Sequence, residues 1–139
     1  MSGVFVDTSA WYALADTGDT YHQQATVRFR HLLDERQTFV TTNYVVSETY
    51  TLVRVRLGHA AGQDFLRGVR NSAVTQRAFV LEAWEQAAED LLARYADHDF
   101  SYVDATSFIA MRRLDLQDAF AFDHHFTTAG FTLVGDQAS

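Results

Sequence analysis

The sequence predicts an α/β fold, in which a parallel sheet of five strands is covered by helices on both faces. Short apolar segments of strand length alternate along the chain with longer segments whose apolar residues recur at helical spacing. The chain has no proline, no Gly/Ser-rich linker, no internal repeat and no low-complexity tract. Strands that alternate with helices form parallel sheets that are buried on both faces. We therefore predict one domain spanning residues 1–139.

The first half of the chain contains two predicted strands and four predicted helices. Residues 3–7 (GVFVD) form a short apolar run that ends in Asp7, and the short helix SAWYALA follows it. A helix is predicted over 20–36 and a second strand over 37–42. Asn43 is the predicted N-cap of a third helix that Gly58 ends. Apolar residues at helical spacing predict a fourth helix: Ala61, Phe65, Leu66 and Val69.

Three further strands and two clear helices are predicted in the second half. The strands cover 77–81 (RAFVL), 119–122 (AFAF) and 131–135 (FTLVG). The strongest helical pattern runs from about 82 to 96, where one apolar stripe faces away from Glu85 and Glu89. DATSFIAMRRL predicts another helix with Asp104 at or near its N-terminus. DHHFTTAG predicts a turn or a short helix.

Composition excludes several classes of protein. Apolar residues make up 47% of the chain, with 11 Phe, so disorder is excluded. The absence of cysteine excludes disulfides and thiolate chemistry, and it fits a cytoplasmic location. We expect neither a signal peptide nor a membrane span. A net charge of −7 argues against a protein that coats nucleic acid, although it is compatible with a metal-dependent nuclease.

Four acidic residues stand in apolar surroundings: Asp7, Glu48, Asp104 and Asp123. Asp7 and Asp123 end predicted strands, whereas Glu48 and Asp104 lie near the starts of predicted helices. Carboxylates in apolar surroundings are costly unless a charge compensates them, and one divalent cation would compensate several. Because ligands bind beyond the carboxyl ends of parallel strands, the four acids are compatible with a single site at that edge.

Each acid also has a simpler explanation when it is taken singly. Helix capping accounts for Asp7 and Asp104, a turn accounts for Asp123, and a partly exposed helix flank accounts for Glu48. The conjunction of all four favours a metal site over four independent roles. The adjacent His124 and His125 are poorly spaced for joint ligation, and we interpret them as a solvated turn.

Carboxylate oxygens suit Mg²⁺ or Mn²⁺, and such a site predicts metal-dependent attack of water on a phosphodiester. The expected products are 5′-phosphate and 3′-hydroxyl ends. Asp7 and Asp104 would hold the main ion, with Glu48 and Asp123 completing the site or holding a second ion. Two related enzyme and signalling classes are disfavoured, because receiver-like phosphoacceptors and dehalogenase-like phosphatases both need a lysine that this chain lacks. A binding module that keeps the acids for structure stays open as an alternative.

The acidic segments, taken together, resemble those of PIN-domain ribonucleases, and more narrowly of VapC-type toxins from bacterial toxin–antitoxin pairs. The resemblance rests on four segments in order: FVDTSAWYALAD, TTNYVVSETYTLV, SYVDATSFIAMRRL and AFAFDHHFTTAGFTLV. It covers essentially the whole chain and identifies Asp7, Glu48, Asp104 and Asp123 as the acidic site. Ala121 stands where the family often has a small hydroxyl residue. Ser9 and Thr106 offer hydroxyls nearby, although capping is our preferred interpretation of each.

The resemblance implies a three-layer α/β/α sandwich with strand order 3-2-1-4-5. It implies dependence on Mg²⁺ or Mn²⁺ and cleavage of single-stranded RNA. It further implies a homodimer and a cognate antitoxin that blocks the site. Within the same fold, a housekeeping PIN ribonuclease that processes RNA is the alternative function.

Overall fold

The computed structural model describes residues 3–135, which form five strands and seven helices. The strands are β1 (Val4–Val6), β2 (Phe39–Thr42), β3 (Thr75–Ala78), β4 (Asp118–Phe120) and β5 (Thr132–Leu133). The helices are α1 (Thr8–Ala15), α2 (His22–Asp34), α3 (Asn43–Leu57), α4 (His59–Asn71), α5 (Glu82–Arg94), α6 (Tyr102–Arg113) and α7 (His125–Thr128). No helix within 3–135 is both long enough and apolar enough to cross a bilayer.

All five strands run parallel in the order β3-β2-β1-β4-β5, as expected. The central strand β1 pairs with β2 on one side and with β4 on the other, with Val6 opposite Phe120. Every residue of β1 is buried, so helices cover the sheet on both faces. The three-layer sandwich is therefore confirmed, and it brings the carboxyl ends of β1 and β4 together.

The core lies between the sheet and its helices and is rich in phenylalanine. Phe108 of α6 packs edge-on against Phe126, with ring centroids 5.1 Å apart, and Phe126 in turn contacts Phe5 of β1. All three side chains are fully buried, and each contributes roughly 1.5–3 kcal/mol to folding through its removal from water. These contacts hold α6 and α7 against the central strands, next to the candidate site.

The predicted third strand, 77–81, is wrong in its position. The strand that forms is Thr75–Ala78, and its last pair joins Thr42 to Ala78. Beyond that pair β2 gives way to α3, and the Val80 backbone N–H donates to Asn43 Oδ1 at 2.8 Å instead of to a strand. Phe79 is consequently 62% exposed, although its apolar run suggested a buried strand.

Candidate metal site at the carboxyl ends of β1 and β4

Asp7 follows β1 directly and is the N-cap of α1. Its Oδ2 atom accepts hydrogen bonds from the Ser9 backbone N–H at 3.1 Å and from Ser9 Oγ at 2.8 Å. The carboxylate is nonetheless only 4% exposed, which is unusual for an acid that serves as an ordinary cap. Capping and a place in the site are thus compatible roles for this residue.

Asp104 lies in the first turn of α6, as the sequence predicted. The cap of that helix is Ser101, whose Oγ accepts from the Asp104 backbone N–H at 3.0 Å. Asp104 Oδ2 in return accepts from the Ser101 backbone N–H at 3.0 Å, which completes a capping box. This reciprocal pair fixes the Asp104 carboxylate at the buried end of the helix.

Asp123 lies three residues beyond the end of β4 and does not end the strand itself. Phe122 lies beyond the strand, and its backbone N–H donates to Ser9 Oγ at 2.9 Å. The chain then turns into α7, where the His125 backbone N–H donates to Asp123 Oδ1 at 2.9 Å. This turn brings Asp123 back towards α6.

His125 is the residue that our interpretation of the sequence missed. Its Nδ1 atom lies 2.9 Å from Asp104 Oδ2 and 3.2 Å from Asp123 Oδ1. The pair His124–His125 therefore does not form a purely solvated turn, because one ring is directed at the acids while the other is exposed. The only available signal was the position of His125 two residues after Asp123, and that signal is weak.

Within residues 3–135, one ligand atom each from Asp104, Asp123 and His125 lie within 4.8 Å of one another. Asp7 is close enough for the charges of Asp104 and Asp123 to act on it. Glu48 lies outside this group, on the exposed side of α3. It lines a groove together with Thr8, which follows Asp7, and Val103, which precedes Asp104. The structure thus brings Asp104 and Asp123 together, with Asp7 close enough for their charges to act on it, and it places Glu48 in a groove lined by residues next to Asp7 and Asp104.

The pKa values of Asp7 and His125 are both raised in the site. The pKa of Asp7 is raised to about 7: burial raises it most, the charges of Asp104 and Asp123 raise it as well, and the hydrogen bonds from Ser9 lower it. Burial lowers the pKa of His125, but the hydrogen bond to Asp104 and the surrounding carboxylates outweigh that effect and raise it overall. Carboxylates that repel one another in a buried setting are stabilised by a cation.

The donor set fits a divalent ion of the Mg²⁺ or Mn²⁺ kind. Asp104 and Asp123 place carboxylate oxygens within 4.8 Å of each other, and Asp7 is close enough for both charges to raise its pKa. Such oxygens are the hard ligands that these ions prefer. Ser9 supports the site by fixing Asp7, whereas Thr106 Oγ1 donates to the Tyr102 and Val103 carbonyls within its own helix. Ala121 is buried and offers no hydroxyl.

Comparison with known proteins places this architecture in a family. No family model matches the chain. The chain is 39% identical over 131 residues to the 23S rRNA-specific endonuclease VapC20 of Mycobacterium tuberculosis, in both strain CDC 1551 / Oshkosh and strain ATCC 25618 / H37Rv. The aligned region covers 94% of this chain and 97% of each relative.

Solved structures give the same result. The crystal structure of M. tuberculosis VapC20, described as a sarcin–ricin loop cleaving toxin, matches with a TM-score of 0.84 and 37% identity, over 94% of this chain and 97% of that one. The FitAcB structure from Neisseria gonorrhoeae matches with a TM-score of 0.64 and 12% identity, over 94% and 95% of the two chains, and supports the fold alone. Identity of this level over nearly the full length of both proteins shows that the chain belongs to the VapC family of PIN-domain endoribonuclease toxins.

Proposed function

We propose that this protein is a divalent-metal-dependent endoribonuclease toxin that hydrolyses a phosphodiester bond in the sarcin–ricin loop of 23S ribosomal RNA. The observation that carries the proposal is the convergence of Asp7, Asp104 and Asp123 beyond β1 and β4. It occurs in a chain 39% identical to an enzyme named for 23S rRNA cleavage.

In this proposal Asp7, Asp104 and Asp123 hold Mg²⁺ or Mn²⁺. A bound ion supplies charge that polarises the scissile phosphate and lowers the pKa of water. Asp7 is oriented by Ser9, and Asp104 is oriented by the Ser101 capping box, so neither carboxylate needs to reorganise during the reaction. Hydrolysis in line with the leaving oxygen leaves 5′-phosphate and 3′-hydroxyl ends.

Glu48 has a different role, as a carboxylate that acts from the groove. It is exposed on α3, and its groove neighbours Thr8 and Val103 adjoin Asp7 and Asp104. RNA lying in that groove would pass Glu48 on its way to the ion. We propose that Glu48 completes the site through a water molecule or positions the attacking water when RNA is bound.

We also propose that the protein is a homodimer and that a cognate antitoxin blocks its site. The same groove supports a protein partner, since its lining includes Leu52 and Val55, and Val55 is 77% exposed. Light scattering of the purified protein tests the dimer. Co-expression with the product of a neighbouring small gene, followed by affinity capture and an RNA cleavage assay, tests the inhibitor.

The test of the enzymatic proposal is cleavage of purified bacterial ribosomes by the full chain, with Mn²⁺, with Mg²⁺ and with EDTA. Primer extension then locates the cut, and end-labelling identifies the chemical ends. We expect one metal-dependent cut in the sarcin–ricin loop that disappears in the Asp7→Asn/Asp104→Asn double variant. A metal-dependent cut elsewhere in the RNA would refute the sarcin–ricin loop as the substrate, but it would still support metal-dependent hydrolysis. Absence of both cleavage and metal binding would favour a catalytically silent binding module.

A further inference from the structure

His125 is a nitrogen donor in a site for which the sequence predicts only carboxylates. Its Nδ1 atom faces two carboxylate oxygens at once, Asp104 Oδ2 at 2.9 Å and Asp123 Oδ1 at 3.2 Å. Oxygens of ionised carboxylates only accept hydrogen bonds, so Nδ1 carries a proton in the metal-free protein. A nitrogen that bears a proton therefore points at both of the carboxylates that we propose as ligands of the metal.

The orientation of this ring is held from several sides. The His125 backbone N–H donates to Asp123 Oδ1 at 2.9 Å, which begins α7 beside the acid. The ring also packs edge-on against Phe100, with centroids 5.3 Å apart and planes at 86°. Phe126, the next residue, is fully buried in the core and anchors the short helix. Nδ1 is thus held towards the acids by packing as well as by its hydrogen bonds.

Nitrogen and oxygen donors differ in the ions that they prefer. Carboxylates suit Mg²⁺ and Mn²⁺ alike, whereas imidazole suits transition-metal ions and is a poor ligand for Mg²⁺. A site that offers one imidazole beside two carboxylates therefore discriminates between ions that an all-carboxylate site would bind similarly. The ligand atoms of Asp104, Asp123 and His125 already lie within 4.8 Å of one another.

We propose that His125 Nδ1 is a direct ligand of the divalent ion held by Asp104 and Asp123, and that it makes the site select Mn²⁺ over Mg²⁺. This inference rests on the metal dependence in the proposed function. On ligation Nδ1 gives up its proton, and the neutral ring keeps one proton at Nε2. If the ring is neutral before the ion binds, the proton leaves Nδ1 and Nε2 takes one from solvent, so no net proton is released. If the ring is cationic, one proton is released for each ion bound.

The experiment uses the full chain, freed of metal with EDTA and titrated with Mn²⁺. Electron spin-echo envelope modulation of bound Mn²⁺ detects a directly coordinated imidazole nitrogen as a ¹⁴N coupling. We expect that coupling in the wild type and in His124→Asn, the exposed neighbouring histidine. We expect its loss in His125→Asn, whose side chain keeps a hydrogen-bond donor for Asp104 but no imidazole.

Calorimetry supplies a second readout on the same samples. The ratio of Mn²⁺ affinity to Mg²⁺ affinity should fall by about tenfold or more in His125→Asn and should stay unchanged in His124→Asn. If His125→Asn fails to fold, wild-type protein labelled with ¹⁵N-histidine replaces it. The ¹⁴N coupling should then be exchanged for a ¹⁵N coupling.

The outcomes separate this inference from the proposed function. Mn²⁺ that binds to the wild type without nitrogen coupling would overturn the role of His125 and leave the carboxylate site intact. Coupling that persists in His125→Asn, or that does not respond to ¹⁵N-histidine, would also overturn it. Failure of the wild type to bind Mn²⁺ at all would overturn both.

Discussion

Ser9 Oγ lies 2.9 Å from the backbone nitrogen of Phe122, although 113 residues separate them in the chain. The same hydroxyl donates to Asp7 Oδ2 at 2.8 Å. One side chain therefore orients a carboxylate at the end of β1 and also satisfies the backbone where the chain leaves β4. The two strand ends that form the site are joined through this single oxygen.

Replacing Ser9 with alanine should damage stability and activity together. Ser9→Ala leaves the Phe122 N–H without its partner and removes one hydrogen bond from Asp7, which should cost about 1–3 kcal/mol in the free energy of unfolding. Urea unfolding measures the loss, and RNA cleavage under saturating Mn²⁺ should also decline. Ser47→Ala, at an exposed position of α3, is the control and should change the stability by less than about 0.5 kcal/mol. Equal stability of the two variants would contradict the joining role.

Because of Asp7, the stability of the metal-free protein should fall as the pH rises from about 4 to 7. Asp7 has a folded-state pKa of about 7 against an ordinary value of 3.8, so the folded chain keeps its proton over a pH range in which the unfolded chain has lost it. Ionisation of Asp7 therefore destabilises the fold by an amount on the order of 4 kcal/mol over this pH range. The raised pKa of His125 acts in the same direction, because its stabilising charge is lost as the pH rises.

Asp7→Asn isolates the contribution of Asp7 to that pH dependence. An amide in this position does not ionise, so the variant in EDTA should be more stable than the wild type at pH 8.5 and should show a flatter pH profile. Thermal unfolding at a series of pH values measures both quantities. Parallel profiles for the two proteins would show that Asp7 ionises in the fold as readily as in water.

Divalent metal should stabilise the wild type by mass action. At a free Mn²⁺ concentration of 100 times its dissociation constant, binding to the folded state alone adds about 2.7 kcal/mol to the free energy of unfolding. The Asp7→Asn/Asp104→Asn variant should show almost none of this gain, since two of the carboxylates that would hold the ion have lost their charge. Chemical unfolding with Mn²⁺ and with EDTA provides the measurement. A gain of equal size in the variant would place the ion elsewhere.

Glu48→Gln should separate catalysis from folding. Glu48 is exposed on α3, so the substitution should leave stability within about 0.5 kcal/mol of the wild type. RNA cleavage should nevertheless fall about 10–100-fold, the loss typical when a residue that supports a metal site is removed. Glu35→Gln, an exposed acid after α2, is the matched control and should keep full activity. Undiminished cleavage by Glu48→Gln would remove Glu48 from the proposed site.

Local sequence determined much of this protein. The uninterrupted apolar runs before Asp7 and Asp123 predicted β1 and β4, because strands buried on both faces carry few polar residues. Helical spacing identified α5 and α6, and capping chemistry located Asp104 in the first turn of α6. The edge at which the acids would meet followed from the rule that parallel strands end on the same side of a sheet.

Tertiary contacts decided the rest. β3 ends at Ala78 because its partner strand ends at Thr42. The apolar run FVL that follows gives no sign of this end point. The groove position and exposure of Glu48 depend on how α3 packs, which its apolar neighbours in sequence did not reveal. His125 meets Asp104 because buried aromatic side chains bring α7 against α6, across a separation of 21 residues. Periodicity describes one element at a time, whereas these relationships arise only when elements pack against one another.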